Sequence, residues 1–231
     1  MAKLRFDGTR GQEDYRLQPL TRYCLRGDGA AAAVREICNR LGESVGRHQT
    51  HASYHEGLID ALFTQHALAA LEGFCSGLEA AGVGVASGIA ELTRLRTDPI
   101  SHLTIDELVR WCDEDPAARY PAAASVVQIF GASPASGGPG WSSSALTLLA
   151  KAPDKIEVLK RFIERFSPWT WTGPRSATVA SNAILLDQLD TTGDPALAEF
   201  ISDAKASLAR AVDAERGLES YIFGTEHQSF E

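Results

Sequence analysis

A chain of 231 residues, 44% hydrophobic and 23% charged, carries enough apolar side chain for a real core. Its formal net charge of −8 opposes broad phosphate-backbone binding, which needs a basic face to release counterions, so nucleic acid is not the default partner. No apolar run approaches the roughly 20 residues that span a bilayer, and the start, Met1 to Asp7, has no apolar stretch of the secretory kind.

Residues 1–27 lack clear periodicity and hold Arg5, Arg10, Arg16, Arg22 and Arg26. They read as a weakly structured arm, or as the remnant of something longer. Residues 28–231 read as one helical-repeat domain, with a candidate subdivision at the loop 131–140 (GASPASGGPG). Proline marks the helix starts: Asp98-Pro99, Asp115-Pro116 and Asp194-Pro195, with Ala152-Pro153-Asp154 as a variant. Asp at an N-cap accepts a hydrogen bond from an orphaned backbone N–H, and Pro just inside has no N–H to lose.

In chain order, the spacing predicts helices at 30–46, 53–63 and 64–78, with Thr64 as a new N-cap, then a glycine-spaced segment at 82–97. Thr104-Ile105-Asp106-Glu107 has the capping-box pattern and starts a short helix ending near Asp113. Asp115-Pro116 opens another, predicted to run through Val126, Val127, Ile129 and Phe130. Helices at about 142–151, 153–166, 175–190 and 195–222 complete the chain. In the third-last, Ile156, Leu159, Ile163 and Phe166 line one face; in the last, Leu197, Ile201, Ala204, Leu208, Ala211, Val212 and Leu218 do.

A weak period supports a stack. Ile37, Phe74, Trp111, Leu148, Leu185 and Ile222 are spaced 37 residues apart, and each of the first three is followed by Cys. That length suits a two-helix repeat. The predicted fold is therefore all-α, a HEAT-like α-solenoid of antiparallel helix pairs joined by tight turns. The four cysteines, Cys24, Cys38, Cys75 and Cys112, lie far apart with no CxxC, which reads as reduced thiols in a cytoplasmic protein.

His48, His51 and His55 carry the best candidate chemistry. Spacings of 3 and 4 would put them on one helical stripe, where imidazoles share a metal, with Glu56 adjacent and His66 further on. The alternative is a solvated polar face. His55-Glu56-Gly57-Leu58-Ile59 fails the H-E-x-x-H motif, because Ile59 stands where the second His must be. Nothing matches G-x-S-x-G, and the glycines at 82–88 lack the Lys and the preceding strand of a phosphate loop. Cys112 precedes Asp113-Glu114-Asp115, acid that raises a thiol pKa, so a reactive thiolate is not expected. Trp169 and Trp171, on a Pro- and Gly-bounded turn, either pin helices together or anchor a protein partner.

Several segments resemble a C-terminal helical region found in large bacterial anti-phage-defence proteins, including NACHT-type and other NTPase-bearing sensors. The residues are Trp111-Cys112, Asp115-Pro116, Arg119-Tyr120-Pro121, Pro153-Asp154, Trp171-Thr172-Gly173 and Phe230-Glu231, and the likeness runs from about residue 56 to the end. The resemblance implies a HEAT-like array without catalytic residues or cofactor, acting as a sensor or scaffold. It implies a protein partner, an NTPase, nuclease or other effector subunit; that no membrane is expected follows separately, from the lack of a spanning apolar run. Two other readings stand beside it. One is a small metal-dependent hydrolase using His48, His51, His55 and Glu56. The other is an acidic immunity protein that neutralises a basic toxin.

Overall fold

The computed structural model describes residues 29–132, 139–167 and 173–226. Residues 1–27, Trp169, Trp171 and positions 133–138 lie outside them. The described chain is mostly helical, and it divides between Val127 and Gln128 into two compact units.

In the first unit, α1 (Ala30–Gly46) forms where an alanine run of high helix propensity leads into Val34, Cys38, Leu41 and Val45. These recur at steps of four, three and four, and all are buried. Ile37 is half-buried, and its neighbour Cys38 takes the core position.

α2 (Glu56–Ala80) replaces the two helices expected at 53–63 and 64–78. It is one run of 25 residues with a kink at His66 (φ −148°, ψ 67°). Thr64 does not cap its second half; its hydroxyl donates to the Asp60 carbonyl at 2.8 Å, inside the first half. Chain geometry demands the kink. Gly46 abuts Ala81, so the ends of α1 and α2 meet. A straight helix of that length would place Glu56 about 37 Å away. The residues between, which include a 3-10 turn at Ala52–His55, reach about 30 Å at most. The helix must fold back at His66.

Its second half then packs along α1. Arg35 is ion-paired with Glu72, Gly73 abuts the Arg35 carbonyl, Gly77 abuts that of Asn39, and Gly46 abuts Ala81. The partner numbers rise together, so these two helices run parallel, where tight turns predict antiparallel neighbours. The first half of α2 supplies the return leg. The approach is close because a Cβ at Gly73 or Gly77 would overlap the Arg35 or Asn39 backbone carbonyl.

α3 (Val85–Thr93) follows. Asp98 departs from the expected cap: it sits at φ 44°, its side chain caps nothing, and Pro99 opens only a 3-10 turn, Pro99–His102. Thr104, just beyond, claims the next helix. Its hydroxyl accepts from the Glu107 N–H at 3.2 Å while Glu107 accepts from the Thr104 N–H at 2.9 Å, completing the capping box of α4 (Ile105–Asp113). Asp115 caps α5 (Pro116–Ala124) through the Ala118 N–H at 3.5 Å. α5 stops at Ala124, short of the Phe130 expected, and the β-branched residues that follow lead into a strand. Trp111, Tyr120, Phe63 and Phe74 fill the core of this unit.

The second unit opens with a two-stranded antiparallel ribbon, β1 (Phe130–Ala132) and β2 (Pro139–Trp141), with Phe130 opposite Trp141. The segment expected as a plain loop thus has strands at both ends. The Trp141 indole N–H donates to the Leu185 carbonyl at 2.8 Å, and its ring centroid lies 5.5 Å from Phe162 and 6.1 Å from Phe166. Ser142 caps α6 (Ser143–Lys151) and Asp154 caps α7 (Lys155–Glu164), each at 3.0 Å. α7 buries Val158, Leu159 and Phe162, while Ile156 and Ile163 are half-buried.

α8 (Arg175–Ala183) tightens into a 3-10 turn at Ile184–Gln188, and Asp194 caps α9 (Pro195–Glu226) through the Leu197 N–H at 3.0 Å. Arg175 pairs with Glu215 at 3.1 Å and Asp187 pairs with Lys205, so α8 and α9 run antiparallel. The apolar face expected on α9 is only partly covered. Leu197, Ile201 and Val212 are buried, but Ala211 is exposed and Leu218 is 60% exposed. A seven-residue spacing such as 204, 211, 218 drifts about 20° per repeat around a straight helix, and by Leu218 it has left the buried side.

The N-cap of α8 is Pro174, which has no side chain to accept a bond. Glu219 supplies that acceptor from α9, taking the Ser176 hydroxyl at 2.6 Å and N–H at 3.0 Å. These bonds hold the Glu219 carboxyl below the usual carboxylate range. A depressed folded pKa gives stability that is present above the ordinary value of about 4.3 and lost as the pH falls through the lower one. Thermal melts of Glu219→Gln are therefore expected to lie below wild type at neutral pH and to approach it in acid. A constant gap at every pH would sink the assignment.

Candidate functional site: a groove between the last two helices

The histidine stripe does not form. α1 ends at Gly46, the Arg47 and His48 N–H groups turn back to the Glu43 and Val45 carbonyls, and His48 adopts φ 57°. His51 is extended and meets Tyr54 edge-on at 5.4 Å; His55 Nε2 lies 3.0 Å from the Thr50 hydroxyl. Glu56 accepts from the Arg96 and Thr97 N–H groups, tying a distant loop to the start of α2. His66 marks the kink. Among the described residues, no three His, Cys, Asp or Glu side chains come together as metal ligands.

A histidine that spacing does not single out makes the closer constellation. His102 Nε2 lies 3.1 Å from Asp60 Oδ1 and 3.2 Å from Thr64 Oγ1. Both partners address the same ring nitrogen, so the ring cannot relay a proton from one to the other. The cluster fastens the Pro99–His102 turn to α2. Its members are 38 and 42 residues apart, a separation without a local signal.

The three described cysteines are inert by environment. Burial pushes the Cys75 and Cys112 thiols up to about 12, with Glu79 and Asp113 respectively adding to the rise, and raises Cys38 further. In a Cys24→Ser background, native protein at pH 8 is expected to resist a thiol-reactive chromophore, and all three thiols to react after guanidinium unfolding. Fast labelling of native protein would refute this. Beside Cys112, Arg119 lies 5.0 Å over the Trp111 ring and donates to the Trp111 carbonyl at 2.9 Å, and Tyr120 donates to Asp113 at 2.7 Å. These polar groups hold α4 to α5.

The second unit carries a surface of a different kind. A groove of about 290 Å³ runs between α8 and α9. Ala180, Ala183 and Ile184 form one wall, and Leu208, Ala209 and Val212 the other. Asp187 with Lys205, and Asp213 with Arg216 at 3.6 Å, rim it with charges of both signs. Ile184 is 53% exposed here. Sequence spacing places Leu208 and Val212 on this helix face, but the opposite wall depends on how α8 docks, which spacing does not encode. No lining residue is a Ser, Cys or His. An apolar floor with a mixed-charge rim suits a hydrophobic side chain presented on a helix.

Comparison with known proteins returns no matching family, no matching curated protein and no matching solved structure. Among the described residues, no helix is long and apolar enough to cross a membrane.

Proposed function

We propose that this chain is a non-catalytic, HEAT-like helical-repeat module that works by docking a protein helix in the groove between α8 and α9. The groove carries the reading: an apolar trough with an exposed Ile184 and a mixed-charge rim is a protein-recognition surface of the helix-in-groove type. The repeat reading has its own support. α1, the second half of α2, α4 and α6 begin at Ala30, Ala67, Ile105 and Ser143, in steps of 37, 38 and 38 residues. Parallel packing of α1 with the second half of α2 is what successive repeats of that length produce when their first helices stack.

The resemblance to helical regions of bacterial defence proteins supports a sensor or scaffold role, with an NTPase, nuclease or other effector as a partner of the array. The test is a photo-crosslinking amino acid at position 184, in the full chain expressed in its native host, with and without phage infection. A discrete protein adduct, lost when Ala209 is also changed to Arg, is expected. No adduct in either condition would overturn the reading.

A further inference from the structure

We infer that the helix docked in this groove is α9 of a second copy of the chain, lying antiparallel on the first about a two-fold axis at Ala209. The inference rests on reading the groove as a docking site. The α9 residues lining the groove, from Lys205 through Ala209 and Asp213 to Arg216, form one stripe at helical spacing. A two-fold axis at Ala209 sets each residue before it opposite the residue equally far after it on the other helix. Lys205 and Asp213 are each four residues away, so Lys205 faces the partner's Asp213, and the reverse pair forms about 12 Å further along.

The rest of that face agrees. Ser202 falls opposite the partner's Arg216, and Ala198 opposite the partner's Ser220, so no like charges meet on it. An axis displaced to between Arg210 and Ala211 would oppose Lys205 to the partner's Arg216, so charge favours the Ala209 register over that one. Within each copy Asp187 already holds Lys205, and Arg216 holds Asp213. The contact joins them into a row of alternating sign, made twice. Exposed ion pairs of this kind set orientation more than affinity. Affinity comes from covering Ile184, and from close approach over the small side chains of Ala180, Ala183 and Ala209.

Sedimentation of the full chain across the micromolar range tests this. A dimer is expected, weakened about tenfold or more by Lys205→Glu, which brings two carboxylates together. Reversing the whole row, Asp187→Lys, Lys205→Asp, Asp213→Lys and Arg216→Asp together, is expected to restore it, since the pairs within and between copies all re-form with reversed sign. Ala209→Arg, at an exposed position, is expected to abolish dimerisation while circular dichroism stays unchanged. A monomer at every concentration, or a dimer indifferent to Ala209→Arg, overturns the inference. Crosslinking from position 184 separates the two readings. An adduct to another copy supports both, and an adduct to a different protein keeps the docking reading while overturning this one.

Discussion

Gly77→Ala is expected to cost about 3 kcal/mol or more of folding stability, a larger loss than any surface change in the first unit. The added methyl would overlap the Asn39 carbonyl oxygen and would lie 2.6 Å from the Glu43 nitrogen. Both obstacles are backbone, so no side chain can swing aside. α1 and the second half of α2 would have to separate along their length, loosening Cys38, Leu41, Leu71 and Phe74, all buried. The companion change runs the other way. Gly217 lies in α9 with nothing within 4 Å of where a Cβ would stand, so Gly217→Ala is expected to stabilise by about 0.5–1 kcal/mol through helix propensity. Urea denaturation of the two variants decides the matter. If Gly77→Ala is as benign as Gly217→Ala, the parallel glycine seam is wrong.

Trp141→Ala is expected to cost about 3–5 kcal/mol in the second unit, the range for deleting a buried aromatic. Its ring lies against Phe162 and Phe166, and its N–H satisfies the Leu185 carbonyl at the entry to the Ile184–Gln188 turn. Trp141→Phe separates the two contributions. It retains most of the packing but leaves that carbonyl without its donor, and about 1–3 kcal/mol is expected from the orphaned group. Equal losses for the two variants would mean that the hydrogen bond, and not the ring, holds the turn. Because Ile184 begins that turn, Trp141→Phe is also expected to weaken crosslinking from position 184 while far-ultraviolet circular dichroism is unchanged.

What could be read before folding was local. The capping box at Thr104 and Glu107, and the Asp caps at 115 and 194, involve groups three residues apart and form as expected, whereas at 152–154 the cap falls on Asp154 and Pro153 stays outside the helix it was expected to open. The exceptions are equally local in cause. Asp98 has a Pro after it but only a four-residue turn to cap, because Thr104 takes the next N-terminus. His48, His51 and His55 have helical spacing without a helix, since spacing says nothing about where α1 stops. Thr64 resembles a cap, yet bonds back to Asp60 while the chain bends at His66. Cross-element features had no signature. The Glu219 acceptor for α8, the His102 cluster and the far wall of the groove each join residues that only packing brings together.

The separations of those long-range bonds bear on how the chain reaches its fold. Arg35 to Glu72 spans 37 residues, Thr64 to His102 spans 38, Ser176 to Glu219 spans 43 and Trp141 to Leu185 spans 44. Loop-closure entropy grows only with the logarithm of loop length, so each of these contacts costs nearly the same to close. None of them waits on the two ends of the chain meeting. The rate of folding should therefore follow the size of one helix pair rather than the whole length, and either unit can nucleate first.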